Sequence, residues 1–207
     1  MNIVPLFSSP LGWNQLTIPN QPIEDFCYKA LSESTAKFKN MGWQSGFLDV
    51  ETPELKDLVD EVKSNLKYVS ELYAIKPEHE LKLTNMWINI NRPGGMGLQN
   101  NVMHLHPGKF VSFVYYVKVS PGCGNLHLLS PLEASVGYAI PDQIYGQLNM
   151  FNSLRWIIAP EVGKLAMFPS WVQHFADPNN SNEDRISIAF NAELQNTELI
   201  LKPKISS

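Results

Sequence analysis

The sequence has few cysteines, no basic cluster and no long apolar run. Its two cysteines, Cys27 and Cys123, are too few for a disulfide framework. We therefore expect both to be small buried hydrophobic residues in a reducing, cytoplasmic setting. No apolar stretch reaches the roughly 18 residues that a membrane span needs. The N-terminal MNIVPLFSSPLGW lacks a basic region and is interrupted by prolines, which argues against a signal peptide.

Charged residues are also sparse, at 17% of the chain, and the formal net charge is −4. A protein built mainly to grip a phosphate backbone needs a basic surface, so this composition argues against nucleic acid as a partner. Hydrophobic residues make up 44% of the 207 residues, which is enough for one substantial core. We therefore expect a single domain over residues 1–207.

Two helices are predicted in the first third of the chain, where apolar residues recur at helical spacing. The first covers roughly residues 23–40 and stops before Gly42. The second starts near Thr52 and Pro53, with Thr52 as the N-cap and Pro53 at the first helical position. It ends before Ala74.

After residue 80, short alternating segments separated by turn clusters replace the helical pattern. The segments are LKLTNMWININ, KFVSFVYYVKV, GNLHLLS, RWIIAP, GKLAMFPS and RISIAFNAEL. Helices followed by many short strands predict antiparallel sheets with helices packed on one face, and a jelly roll fits the number of strands. We assign residues 1–79 to an N-terminal strand and helices, and residues 80–195 to a mainly β core.

Three histidines are candidates for a metal site. His104 and His106, in MHLHPG, are spaced i and i+2 and would share one face of a strand. His174, in FPSWVQHFADP, follows a predicted strand far downstream. Three imidazoles suit Fe(II) or zinc and leave positions open for other ligands. The alternative is that they are ordinary structural histidines, as we expect for His79 and His127, although His127 could line the pocket.

Arg185 and Ser187, in DRISIAF, are candidates for binding a carboxylate. They alternate with apolar residues and would share one face of a strand. A buried guanidinium is costly unless it is paired, and a ligand carboxylate could accept a bidentate contact from it. The alternatives are a salt bridge to Asp177 or Asp184, or contact with solvent.

The segments HLHPGKFVSFVYYV, GKLAMFPSWVQHFADPN and EDRISIAFN resemble the 2-oxoglutarate/Fe(II)-dependent oxygenase superfamily, and more closely a group of such oxygenases from phages and bacteria. The resemblance runs from about Asn85 to Asn191, and the N-terminal IVPLFSSPL is similar as well. It implies a double-stranded β-helix, Fe(II) bound by three side chains, and a 2-oxoglutarate co-substrate anchored by an arginine and a hydroxyl. The matching positions here are His104, His106, His174, Arg185 and Ser187.

The resemblance implies hydroxylation of an unidentified organic or peptidyl substrate by dioxygen, with release of succinate and CO₂, in a bacterial cell or a phage-infected host. One position departs from the family pattern, because His106 stands where a carboxylate is usual. A third neutral ligand leaves the metal one charge more positive and could favour zinc. A zinc hydrolase or hydratase, and a non-catalytic cupin-like protein that binds a metal or a small acid, therefore remain alternatives.

Other residues are expected near the pocket. Asn89 and Tyr116 are candidates for contacting the oxo acid, since polar tips on strand residues often line pockets. Asp177, three residues after His174, is out of phase with the ligand face, and we expect it to be a turn residue or to support a ligand by a hydrogen bond, rather than to bind the metal itself. The glycine-rich segment 92–101 is either a lid over the pocket mouth or a plain hairpin loop.

Overall fold

The computed structural model describes residues 1–3, 8–36, 42–94, 102–132 and 145–196. Two α-helices and nine strands are found within these residues. The helices are α1 (Asn20–Glu33) and α2 (Lys56–Leu72). The strands are β1 (Gly12–Gln15), β2 (Trp43–Gln44), β3 (His79–Asn91), β4 (Val111–Lys118), β5 (Leu126–Leu129), β6 (Arg155–Ile158), β7 (Lys164–Pro169), β8 (His174–Ala176) and β9 (Arg185–Asn196). None of the helices found here has the length and apolar character to cross a bilayer.

The first helix ends at Glu33, earlier than the sequence predicts, and residues 37–40 of the predicted helix lie outside the described residues. Ser34 is already extended, with φ −70° and ψ 137°. Its hydroxyl oxygen accepts hydrogen bonds from the backbone amide of Ala36 at 3.1 Å and from Nε1 of Trp43 at 3.0 Å. These local bonds compete with the helix and explain the early end.

The second helix also begins later than predicted. Pro53–Leu55 forms a 3₁₀ turn, and the α-helix starts at Lys56. Thr52 does not cap it with its side chain, because its Oγ1 donates to the carbonyl of Asp49 at 2.6 Å instead. The predicted end before Ala74 is confirmed, since α2 ends at Leu72.

In the described part of the chain, the strands form two antiparallel sheets. The larger has the order β1-β7-β4-β9-β3-β2, and the smaller has the order β6-β5-β8. Both helices pack on one face of the larger sheet, against alternate residues of β3, β4 and β9 such as Ile88, Ile188 and Phe190. The prediction of a mainly β fold with helices on one face is confirmed.

The smaller sheet lies opposite the other face of the larger sheet. Apolar residues of the two sheets, among them Leu126, Leu128 and Phe168, form a second core cluster between them. Beside this cluster, the inward residues of β3 and β9 face each other in register and form the floor of a cavity. These pairs are Asn91 with Arg185, Asn89 with Ser187, Trp87 with Ala189, and Asn85 with Asn191.

Candidate metal centre and acid-binding pocket

The structure brings His104, His106 and His174 together in this cavity. The ring centroid of His104 lies 5.1 Å from that of His106 and 4.2 Å from that of His174, and the remaining pair is 5.1 Å apart. One ring nitrogen from each residue lies within 4.8 Å of the others. Three such donors from one side form the facial set that a metal with open coordination positions needs.

Backbone hydrogen bonds place these histidines, although not through the regular strand that the sequence predicts. His104 forms an isolated bridge with His174, and the amide of His106 donates to the carbonyl of Ser170 at 2.9 Å. Strand pairing stops there because Pro107 has no amide to donate and Gly108 turns the chain at φ 77°. The expectation that His104 and His106 share one regular strand is therefore wrong, but their rings still converge.

His104 and His174 make the same local hydrogen bond. Nδ1 of His104 lies 2.7 Å from the carbonyl oxygen of Val102, and Nδ1 of His174 lies 2.9 Å from that of Val172. A carbonyl oxygen only accepts, so Nδ1 carries the proton in both rings. The lone pair is then on Nε2, which is the arrangement that a metal-binding imidazole uses.

Burial keeps two of the three imidazoles uncharged. Desolvation, with smaller contributions from His104 and His106, lowers the pKa of His174 to about 3, against the opposing effect of the bond to the Val172 carbonyl. Desolvation likewise lowers the pKa of His106 to about 4, with smaller contributions from His104 and Lys109. Both side chains are therefore neutral at neutral pH, and neutral imidazole is the form that binds a metal.

Arg185 lies on the cavity floor at the start of β9 and is only 3% exposed. Its Nη1 donates to the carbonyl of Cys123 at 2.7 Å, and its Nε lies 3.4 Å from Oδ1 of Asn91. Burial lowers the pKa of the guanidinium, which reflects the cost of keeping a charge in this position.

Neither of the two carboxylates considered as partners of Arg185 forms a salt bridge with it. Asp184 accepts from Nη1 of Arg92 at 2.7 Å and from the hydroxyl of Tyr28 at 3.0 Å. Asp177 pairs with Nε2 of His127 at 2.8 Å. Within the described ranges, Arg185 forms no salt bridge, although the charge of Asp177 attracts it, and it is only 3% exposed, so the alternatives of a salt bridge and of solvation are both wrong.

Polar groups surround the guanidinium on the same cavity wall. Nδ2 of Asn91 is buried and has no hydrogen-bond partner among the residues described. Ser187 and Tyr116 are buried and line the cavity, and Asn89 lies opposite Ser187 in the register. Burial raises the pKa of the Tyr116 phenol, so this hydroxyl keeps its proton and can donate it in a hydrogen bond. These donors and the guanidinium could together hold a carboxylate.

Asn91 was missed in the sequence, although a signal for it exists. It follows Asn89 by two residues on the same strand and therefore shares its face. Extending the alternation Trp87, Asn89, Asn91 would have placed it in the pocket. Its contact with Arg185 depends on the register of β3 against β9, which the sequence alone does not give.

Gly124 leaves room for the arginine. Its φ is +89°, and a Cβ atom there would lie 2.8 Å from Nη1 of Arg185 and 2.6 Å from the carbonyl oxygen of Pro178. A larger residue would be strained by the backbone angle and would also displace the guanidinium or the backbone.

The cavity has a volume of about 830 Å³, within the usual range of small-molecule sites. His127 does not line it, because its ring stacks on Phe175 at 4.5 Å and bonds to Asp177. Trp171 also lies outside the cavity lining and packs edge-on against Tyr73 and Phe110. Residues 95–101 of the predicted lid or hairpin lie outside the described residues.

The chain was compared with known proteins. A family model described as "Putative 2OG-Fe(II) oxygenase" matches residues 85–191, which is just over half of the chain. A search of curated proteins gave no significant match.

Solved structures share the fold at low identity. A prolyl-4-hydroxylase from Pseudomonas putida has a TM-score of 0.59 at 14% identity, covering 91% of this chain and 94% of its own. A viral collagen prolyl hydroxylase from Paramecium Bursaria Chlorella virus-1, in complex with 2-oxoglutarate, has a TM-score of 0.57 at 11% identity, covering 88% and 94%. HygX from Streptomyces hygroscopicus, with nickel and 2-oxoglutarate bound, has a TM-score of 0.55 at 11% identity, covering 89% and 83%.

Proposed function

The chain belongs to the family of 2OG-Fe(II) oxygenases, and on this premise we propose that it hydroxylates a C–H bond of an organic or peptidyl substrate. His104, His106 and His174 would hold Fe(II), and Arg185 would anchor 2-oxoglutarate. One observation carries the proposal: three imidazoles and a buried guanidinium without a carboxylate partner face the same cavity. A buried cation of this kind is explained by an anionic ligand.

The residues of the chain fit these roles. Bound Fe(II), together with 2-oxoglutarate and dioxygen, supplies the oxidative decarboxylation and the transfer of one oxygen atom to the substrate. The three histidines would hold the metal with one nitrogen each and leave coordination positions for other ligands. Arg185, Ser187 and Tyr116, with Asn89 and Asn91 beside them, would bind the distal carboxylate of the oxo acid.

The apolar wall has a separate role. Phe168 packs edge-on against His174 at 4.8 Å, and Leu126 lines the same side of the cavity. These side chains limit the access of water to the metal ligands, which strengthens electrostatic contacts in the cavity. A peptidyl substrate is supported by two of the similar structures, which are prolyl hydroxylases.

A zinc hydrolase is the second candidate, because His106 occupies the position at which a carboxylate is usual. It would use the same three imidazoles with a bound water. The family match and the buried Arg185 favour the oxygenase, since 2-oxoglutarate always brings a distal carboxylate to bind, whereas hydrolysis by a zinc-bound water does not by itself require one.

Anaerobic titration tests the proposal. Fe(II) and 2-oxoglutarate are added to the purified protein without dioxygen, and the visible charge-transfer band of the iron chelate is recorded. We expect the band in the wild type and its loss in His174→Ala. Binding of zinc with no band and no affinity for 2-oxoglutarate would favour the hydrolase, and a band without succinate release in air, with any peptide tested, would favour a non-catalytic binding protein.

A further inference from the structure

The charges that line the cavity are all of one sign. Arg185 and Lys109 are its charged side chains, and no Asp or Glu lines it in the described part of the chain. Lys109 forms an ion pair with Glu193, which lies outside the lining, so its charge is largely balanced. Arg185 forms no ion pair among the described residues, and the one carboxylate that attracts its charge, Asp177, is already paired with His127.

The cavity keeps an excess of positive charge when a divalent metal and 2-oxoglutarate are bound. This step rests on the proposed function. Three neutral imidazoles leave both charges of a divalent metal uncompensated, and Arg185 adds a third. A 2-oxoglutarate dianion removes two of them. One positive charge remains, in a cavity lined by buried side chains, where charges are screened less than at the surface. A carboxylate in place of His106 would cancel it.

The end of the cavity away from Arg185 is lined by carboxamides. The nearest carboxylate, Glu193, does not line it and is already paired with Lys109, although Thr84 Oγ1 lies 3.4 Å from Glu193 Oε1 and 3.1 Å from Asn85 Oδ1. Asn85 and Asn191 face each other there, six residues along β9 from Arg185, or roughly 20 Å of extended strand. Asn191 is 3% exposed, and its Oδ1 accepts from the hydroxyl of Ser112 at 2.7 Å. This bond holds the Asn191 side chain in place and leaves its amide group for a ligand.

We propose that the substrate presents an uncharged or anionic group to this end of the cavity, and that the site excludes ammonium and guanidinium groups. Asn85 and Asn191 are the residues that determine this specificity. Their carboxamides can donate to and accept from a neutral amide or an acid, whereas an amine in a cavity of net positive charge would require an unpaired carboxylate, and Glu193 is already paired with Lys109.

Charged thiol reagents measure this potential without a known substrate. Asn85→Cys is treated with 2-sulfonatoethyl methanethiosulfonate, which is anionic, and with 2-(trimethylammonio)ethyl methanethiosulfonate, which is cationic. The thiolate attacks the sulfenyl sulfur, forms a mixed disulfide and releases methanesulfinate, and mass spectrometry gives the rate. Wild-type protein is the blank, because Cys27 and Cys123 are buried. Ser64→Cys, on the exposed side of α2, is the control.

We expect the ratio of anionic to cationic rates at position 85 to exceed the control ratio by at least about fivefold in the zinc-substituted protein. Adding 2-oxoglutarate should reduce the ratio but keep it above the control. Introducing His106→Asp or Asn191→Asp into Asn85→Cys should lower it further. Faster reaction with the cationic reagent, or no effect of either aspartate, would overturn the inference. Failure of both reagents to react would show that this end is closed to ligands and would also overturn it.

The outcome is separable from that of the proposed function. The affinity for 2-oxoglutarate is measured in the same zinc-substituted protein by calorimetry. If 2-oxoglutarate does not bind, the proposed function fails, and the ratio measured with zinc alone still tests the sign of the cavity. If 2-oxoglutarate binds but the ratio does not exceed the control, only the substrate inference fails.

Discussion

The backbones of His104 and His174 are hydrogen-bonded to each other in both directions, at 3.0 Å and 2.9 Å. This single bridge joins an irregular segment after β3 to the first residue of β8. Each ring is then held by a bond from its own Nδ1 to the carbonyl two residues earlier. Two of the three candidate ligands are therefore positioned by the backbone, and this positioning does not depend on a metal.

Replacing His174 should abolish metal binding. We expect His174→Ala to weaken the binding of Fe(II) or zinc by more than about 100-fold, since the loss of a ligand should exceed the loss of an outer-shell partner. Calorimetric titration of the metal-free protein measures this. His79→Gln, at the start of β3 and outside the cavity lining, is the matched control and should keep wild-type affinity. Equal loss in both variants would contradict the site.

Replacing Arg185 should weaken the binding of 2-oxoglutarate and leave the binding of the metal unchanged. We expect Arg185→Ala to lose a few kcal/mol of 2-oxoglutarate binding, roughly the value of a charged hydrogen-bond pair, with unchanged metal content. The affinity is read from the anaerobic chelate band and the metal content from elemental analysis.

Arg92→Ala is the control for this variant. Arg92 is a neighbouring arginine paired with Asp184 and lies outside the cavity lining, so its loss should leave the affinity for 2-oxoglutarate unchanged. If Arg185→Ala unfolds the protein, or leaves the chelate band as in the wild type, Arg185 is a structural residue.

The sequence predicted the alternation of side chains along the strands well, and the register between strands poorly. The i, i+2 spacing of Arg185 and Ser187 correctly placed both on one face, because side-chain direction along a strand is a local property. The contact of Arg185 with Asn91 and with the carbonyl of Cys123 depends on which strand lies beside β9. That pairing is non-local, and the sequence does not contain it in readable form.

The histidines show the same limit in another way. The spacing of His104 and His106 predicted a shared strand. Their rings do converge, but backbone contacts outside a regular strand hold them. A bridge to His174 fixes the first, and a bond to the carbonyl of Ser170 fixes the second. Helix ends were mispredicted where side-chain hydroxyls made local bonds, as at Ser34 and Thr52, because such competition is not visible in apolar periodicity.

A buried hydroxyl pair supports the turn that holds His106. Ser112 Oγ lies 2.8 Å from Ser170 Oγ and donates to Oδ1 of Asn191 at 2.7 Å. Ser112→Ala removes a hydrogen-bond partner from Ser170 Oγ and from Asn191 Oδ1, so we expect a loss of about 1–3 kcal/mol in the free energy of unfolding. Ser170→Ala should cost less, about 1 kcal/mol, since Ser112 keeps Asn191. Urea unfolding of the single and double variants gives the coupling, and strictly additive losses would show that the two hydroxyls act independently.

Gly124 should be intolerant of any side chain. A Cβ atom would lie 2.8 Å from Nη1 of Arg185, at a backbone angle of φ +89°. We expect Gly124→Ala to destabilise the protein by at least about 1 kcal/mol and to weaken 2-oxoglutarate binding as well. Gly122→Ala is a close control, because its φ is also positive, at +83°, but a Cβ atom there has no contact shorter than 3.9 Å. Gly122→Ala should therefore cause similar backbone strain but leave the affinity for 2-oxoglutarate unchanged. A comparable loss of affinity in both variants would argue against a steric effect on Arg185.

The stability of the metal-free protein should depend on pH through the buried imidazoles. Burial lowers the pKa of His174 to about 3 and that of His106 to about 4, from 6.5 for the unfolded chain. Below pH 6.5 the unfolded state binds protons that the folded state does not, so the free energy of unfolding falls as the pH falls towards 4 and is fully retained above 6.5. The slope is up to about 1.4 kcal/mol per pH unit for each histidine.

Urea unfolding between pH 5 and 7 measures this slope in a window where most carboxylates stay ionised. His174→Gln removes one titrating group, so its slope should be smaller than that of the wild type. Saturating zinc should raise the stability throughout this window, because it binds the neutral imidazoles of the folded state. A wild-type stability that does not change over this window would mean that the imidazoles take up protons equally in both states and are not buried as neutral ligands.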